Sequence, residues 1–129
     1  MCRAAPGIEV VGAYQDAQFG PVLLAGMGGV LVEVLRDTAL RLAPLDERDA
    51  LAMLDELRGA ALFDGVRGGG PADRQAVVRV LLALSTLMVE LREWISEVDI
   101  NPLIVHGAGC GASVADALVV LKAPAPTRQ

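Results

Sequence analysis

The chain has 129 residues, 53% of them hydrophobic and 3% aromatic, with a formal net charge of -5 at pH 7. That length suits one domain with a core filled by Val, Leu and Ala, and the composition excludes a disordered or solvating segment. Net acidity argues against a nucleic-acid partner, which needs clustered Lys and Arg.

The opening Met1-Cys2-Arg3-Ala4-Ala5-Pro6 contains no apolar secretory core. Cys2 and Cys110 lack metal-ligand spacing, so two free thiols in a reducing cytoplasm are expected. Gly7 to Ala13 and Pro21 to Gly26 are short Val- and Leu-rich runs around a turn-forming Asp16-Ala17-Gln18-Phe19-Gly20, which predicts two strands joined by a turn. Val30 to Leu35, with Glu33 inside it, and Thr38 to Ala43 read as further strands, the second ended by Pro44. Asp46 is placed to cap a helix with Glu47 and Asp49 in its first turn, Leu51, Leu54 and Leu57 at helical spacing, and Gly59 as its stop.

Phe63 to Pro71, holding Gly65, Gly68, Gly69 and Gly70, reads as loop. A second helix is predicted from about Asp73 to Trp94, with Val77, Leu81, Leu84, Met88 and Leu91 as one stripe of core residues. Arg79, Ser85, Thr86 and Glu90 interrupt this stretch too often for a membrane span, and the sequence offers no better candidate. Two more strands follow, Glu97 to Val105 and Ser113 to Leu121, then a loose tail from Ala123. Strands, two helices, then strands predict an α+β fold, a mainly antiparallel sheet with both helices on one face, formed by residues 1–122.

If the last two strands turn around Gly107-Ala108-Gly109-Cys110-Gly111, Asn101 lies opposite Asp116, and Asp99 shares its face. Two carboxylates and an amide oxygen would then meet, a donor set suited to Mg²⁺. The flanking Ile100, Leu103, Ile104, Val105, Val119 and Val120 suggest a largely buried sheet, where a lone carboxylate is costly. Asp and Asn near strand ends also serve as turn formers, and on spacing alone both readings stand. His106 is expected in the hairpin loop, exposed to solvent.

The run Glu97-Val98-Asp99-Ile100-Asn101-Pro102-Leu103, followed by Asp116-Ala117, resembles the ATP-grasp half of ADP-forming acetyl-CoA and succinyl-CoA synthetases. Gly7-Ile8-Glu9-Val10-Val11-Gly12, Asp16-Ala17-Gln18-Phe19-Gly20-Pro21-Val22, Gly26-Met27-Gly28-Gly29-Val30, Arg41-Leu42-Ala43-Pro44-Leu45 and the Arg67-Gly68 loop extend the likeness from about Gly7 to Leu121. The resemblance implies the carboxy-terminal part of an ATP-grasp domain, with Mg²⁺ and ATP or ADP as cofactors. It implies Asn101 and Asp116 as metal ligands and Asp99 as an acidic partner at the phosphoryl group.

Glu9, Gly28, Gly29 and Arg41 become candidates for nucleotide or phosphate contact; an exposed strand residue, a tight turn and a solvated arginine are the plainer alternatives. Where such proteins carry Asp-Ala-Arg, this chain has Asp116-Ala117-Leu118 and loses a cation. The implied partners are the remainder of the ATP-grasp domain, which the few residues before Gly7 are not expected to form, and a CoA-binding domain, and self-association is an open possibility. The implied function is the nucleotide-binding part of a ligase, inactive alone. The alternative is a nucleotide-sensing or interaction module, since the same domain also occurs fused in bacterial protein lysine acetyltransferases.

Overall fold

The alternating run at the start of the chain forms β1 (Ala4–Asp16), which turns into β2 (Gly20–Met27). The Asp16 carboxylate accepts the Gln18 and Phe19 N–H groups at 2.8 and 2.9 Å, and Gly20 closes the turn at φ 79°. That left-handed conformation is one a side chain resists, so the turn residues account for the hairpin. A computed structural model describes residues 4–27, 37–57 and 71–123. The expected strand at residues 30–35 and the glycine-rich loop at residues 63–70 lie outside them.

β3 (Thr38–Leu42) follows the Thr38–Ala43 prediction and pairs with β2. The first helix, α1 (Glu47–Glu56), begins on a reciprocal cap: Asp46 accepts the Asp49 N–H at 2.7 Å, and Asp49 accepts the Asp46 N–H at 3.1 Å. It ends before Gly59, which lies outside the described residues. The second helix, α2 (Arg74–Glu90), is shorter than expected. Its Leu91 cap donates to the Leu87 carbonyl, and residues 91–94 turn toward the next strand, leaving Leu91 exposed instead of in the core.

β4 (Ile95–His106) returns alongside β1. The predicted last strand is split into β5 (Ala112–Val114) and β6 (Ala117–Leu121), both beside β4. The sheet runs β3-β2-β1-β4-β5, with β6 sharing the free side of β4, and every pairing is antiparallel. Both helices cover one face, as predicted. Leu23, Met53, Leu54, Leu81, Met88 and Leu103 are fully buried between sheet and helices. Two polar links fasten these layers: Ser85 Oγ accepts the Leu45 N–H at 2.8 Å, and Gln15 Nε2 donates to the Met88 carbonyl at 3.2 Å. Among the described residues no helix is long and apolar enough to cross a membrane.

The β4–β5 turn is fastened to the start of α2. Asp73 caps that helix and also accepts the Gly111 N–H, while its own N–H donates to the His106 carbonyl at 2.8 Å. Burial pushes the Asp73 carboxyl up, but the Gly111 and Ala76 N–H groups, the Arg79 charge and the Gly109 N–H outweigh it and hold the carboxyl below its ordinary 3.8.

Two expectations are corrected at this turn. Cys110 is disulfide-bonded, so it is not a free thiol. The chain's other cysteine, Cys2, lies outside the described residues, but Ala4 pairs with His106, so the fold brings the start of β1 beside the Cys110 turn. Distance in sequence hid that proximity. His106 ends β4 half-buried: its Nε2 is 2.7 Å from Ser113 Oγ, and its Nδ1 is shielded from solvent without a partner.

Replacing Leu81 by Ala should lower stability by about 2–5 kcal/mol in urea melts, since no solvent reaches that position to refill the void. The Asp73 carboxyl sits lower in the folded chain than in the unfolded one, so it favours folding above pH 3.8 and that contribution fades as acid passes below this value. The stability gap between wild type and Asp73→Asn should therefore narrow below that pH; a gap unchanged from about pH 6 to about pH 2.5 would contradict the assignment.

Candidate metal and nucleotide site

A proline in a central strand has no N–H to give the ladder, so it is tolerated only at an irregularity. Pro102 creates one in β4. Glu9 pairs with Leu103 and Val11 with Ile100, so two steps along β1 span three along β4. This is a bulge at Asn101-Pro102. It lets Ile100 and Leu103 both point into the core while Asp99 and Asn101 face away from the helices. The same irregularity divides the opposite strand, because residues 115–116 face the bulge.

The register that spacing suggested is the one observed. Ile100 pairs with Ala117 and Leu103 with Val114. Between them the Asn101 N–H donates to the Asp116 carbonyl at 3.1 Å, and the Ala115 N–H donates to the Pro102 carbonyl at 3.1 Å. Asp99 pairs with Gly12 on one side and Leu118 on the other. Its carboxylate leans over Gly12: a methyl group there would come 3.9 Å from Asp99 Oδ1 and 3.0 Å from the Val98 carbonyl oxygen. Asp99, Asn101 and Asp116 are thus brought to one region of the helix-free face.

That face is more open than the apolar sequence implied. Asp99 is half-buried, Asn101 and Asp116 are exposed, and Leu118 in β6 is 59% exposed. An apolar strand signals burial but cannot tell whether one face or two are covered. Among the described residues, no ion pair or hydrogen bond engages the Asp99 or Asp116 carboxylate or the Asn101 amide. No three His, Cys, Asp or Glu side chains among them group around a common point. A cation here would take the Asn101 oxygen with the Asp116 carboxylate, have Asp99 nearby and keep several waters, a set that fits Mg²⁺.

The other candidates are dispersed. Glu9 is set by backbone pairing between Met27 and Leu103. Gly28, Gly29 and Arg67 lie outside the described residues. Gly26 packs tightly: a Cβ would meet Thr38 Cγ2 at 3.0 Å and the Asp37 carbonyl oxygen at 3.2 Å, so its small size serves the β2–β3 approach. Arg41 pairs with Glu56 of α1 at 2.6 Å, on the helix side of β3, and does not join Asp99 and Asn101. Leu118 stands across from Asp99.

Sequence reasoning missed one part of this face. Tyr14, Phe19, Val22, Leu40 and Leu42 line a shallow hollow of about 300 Å³ near the β1–β2 turn, with Asp16 and Arg41 at its edge. The available signal was aromatic scarcity. The chain has one Trp, one Tyr and two Phe, and Tyr14, Phe19 and Trp94 are all exposed.

The sequence matches the family described as the ATP-grasp domain over residues 1–121. It is 42% identical over 118 residues to the acetate–CoA ligase [ADP-forming] II subunit beta of Pyrococcus furiosus, covering 91% of this chain and 50% of that protein. It is 47% identical over 116 residues to acetate–CoA ligase [ADP-forming] II of Archaeoglobus fulgidus, covering 89% of this chain and 16% of that one. The fold superposes with a TM-score of 0.84 on the acetyl-coenzyme A synthetase 1 of Ca. Korarchaeum cryptofilum, solved with coenzyme A and Mg-AMPPCP, at 39% identity and covering 90% of this chain and 53% of that one. The chain belongs to the ATP-grasp domain family. It spans half the length of the P. furiosus subunit and a smaller share of the longer ligase.

Gly12→Ala should lower the stability by about 1–3 kcal/mol, because the new methyl presses on backbone at Val98. Thermal melts of the variant beside Ala13→Gly, which removes a methyl instead, would separate this crowding from a general loss of strand stability.

Proposed function

We propose that this chain is the metal- and nucleotide-facing part of an ADP-forming acyl-CoA synthetase, whose complete form interconverts acyl-CoA, ADP and phosphate with the free acid, CoA and ATP. The observation that carries the reading is the cross-strand bond from the Asn101 N–H to the Asp116 carbonyl, which sets an amide and a carboxylate side by side on an open face. The relatives named above are ADP-forming ligases, and one was solved with a magnesium nucleotide.

In this reading Asn101 and Asp116 hold Mg²⁺, and Asp99 is the acidic group nearest the phosphoryl being transferred. The ion, when bound, offsets the negative charge that gathers on the phosphate oxygens. The chain's own contribution is placement: the bulge aims Asn101 outward, and β6 holds Leu118 against Asp99. Gly12 leaves room for the Asp99 carboxylate. Glu9, Gly28 and Gly29 remain the proposed nucleotide contacts; Arg41, paired with Glu56 on the helix side of β3, lies away from the Asn101–Asp116 pair.

The open apolar face around Tyr14, Leu40 and Leu42 would be covered by the remainder of the ATP-grasp domain, with a CoA-binding domain beyond it. Without them that surface favours self-association. Nucleotide and coenzyme A are intracellular metabolites, which supports a cytoplasmic location.

Calorimetric titration of Mg-ADP should give a saturable heat with the wild-type chain and an affinity at least about tenfold weaker with Asp116→Ala, a change of ~1.4 kcal/mol. Equal heats from the two proteins would remove the metal assignment. Assays of the chain alone with acetyl-CoA, ADP and phosphate should show no ATP formation; measurable turnover would mean that the chain carries more of the reaction than this reading gives it.

A further inference from the structure

Asp73 is built for more than capping a helix. A cap needs one oxygen, which Oδ1 supplies by accepting the Ala76 N–H at 3.0 Å. Oδ2 instead accepts the Gly111 N–H at 2.8 Å, in the turn between β4 and β5. Around this bond the Ala108 N–H donates to the Pro71 carbonyl at 2.8 Å, and Ala72 bridges Gly107. Ser or Asn would cap α2 without placing a charge in a site that is 93% shielded, since Asp73 is only 7% exposed. The second oxygen is what an aspartate adds.

We infer that Asp73 is a positioning residue for the Asn101–Asp116 pair, fixing the turn from which the hairpin register is counted. This inference rests on the proposed reading of that pair as the metal site. From the turn outward, Val105 pairs with Ala112, Ile104 with Ser113 and Leu103 with Val114. The bonds at Pro102 and Asn101 follow, then Ile100 with Ala117, without a skipped residue. A slip of one position would send Asp116 to the other face. β5 has little means of resisting it, being three residues long, with Ala112 half-buried and Ser113 and Val114 exposed. β6 holds the far side of Asp116 through its pairs with β4; on the near side the hold lies at the turn, where Asp73 is the buried carboxylate that grips Gly111 beside the disulfide-bonded Cys110.

Asp73→Ser and Asp73→Asn separate the two roles. Both residues cap helices well, but Ser has one oxygen, and Asn turns either its only oxygen or a donor toward Gly111. Amide hydrogen exchange on the purified chain is the primary measurement. Protection across α2 should stay near wild type, while the Asn101 and Ala115 N–H groups should exchange about tenfold faster or more. Unchanged exchange at Asn101 and Ala115 in both variants would overturn the proposal. So would a loss spread evenly over α2 and the whole sheet, which marks a purely structural residue.

Mg-ADP titration supplies the second arm. Weaker binding by Asp73→Ser, with α2 still protected, supports positioning. Binding equal to wild type despite fast exchange at Asn101 overturns it. Should wild type and Asp116→Ala bind alike, the metal reading itself fails, and the exchange result alone decides whether Asp73 sets the register.

Discussion

The hydrogen bond from the Asn101 N–H to the Asp116 carbonyl is the contact on which the rest of this site depends. It lies beside the place where Pro102 accompanies a bulge of β4 against β1, while the register toward β5 and β6 runs on unbroken. The bulge reconciles two demands that a plain strand cannot meet together. Ile100 and Leu103 must both reach the core under α2, and Asp99 and Asn101 must both stay on the open side. A strand with strict alternation that kept Ile100 inward would leave Leu103 on the open side with Asp99 and Asn101.

The energetic division of the molecule follows from this. One face of the sheet carries the stabilising burial of Leu23, Leu81, Met88 and Leu103, and the other is left to chemistry and contact. Tyr14, Leu40, Leu42 and Leu118 on that other face remain apolar and exposed, so the folded chain keeps a surface suited to association. Membership of the ATP-grasp family and coverage of half the P. furiosus subunit give that surface a natural explanation.

Much of the fold was legible before any coordinates, for local reasons. Asp46 and Asp49 announce a cap, Asp16 to Gly20 announce a turn, and the Val77–Met88 stripe has no reading other than a core helix. Its end was misjudged because Leu91 continues the stripe, while the chain turns away after it. The break between β5 and β6 was missed because its cause, Pro102, lies on the neighbouring strand. The Cys110 disulfide was missed for a related reason: spacing along the chain carries no sign of it.

The hairpin register could be counted from the glycine-rich turn, which is why Asn101 and Asp116 could be paired in advance. Arg41 could not be placed, because its position on the helix side depends on the alternation of β3 and on Glu56, far away in sequence. The Tyr14–Phe19 hollow carries no motif at all. Paramagnetic broadening by Mn²⁺ with ADP, read amide by amide in solution, tests the central claim most directly. The account predicts selective loss of signal at Gly12, at Asp99 to Asn101 and at Asp116 to Leu118; broadening centred instead on the acidic first turn of α1, with those amides untouched, would contradict it.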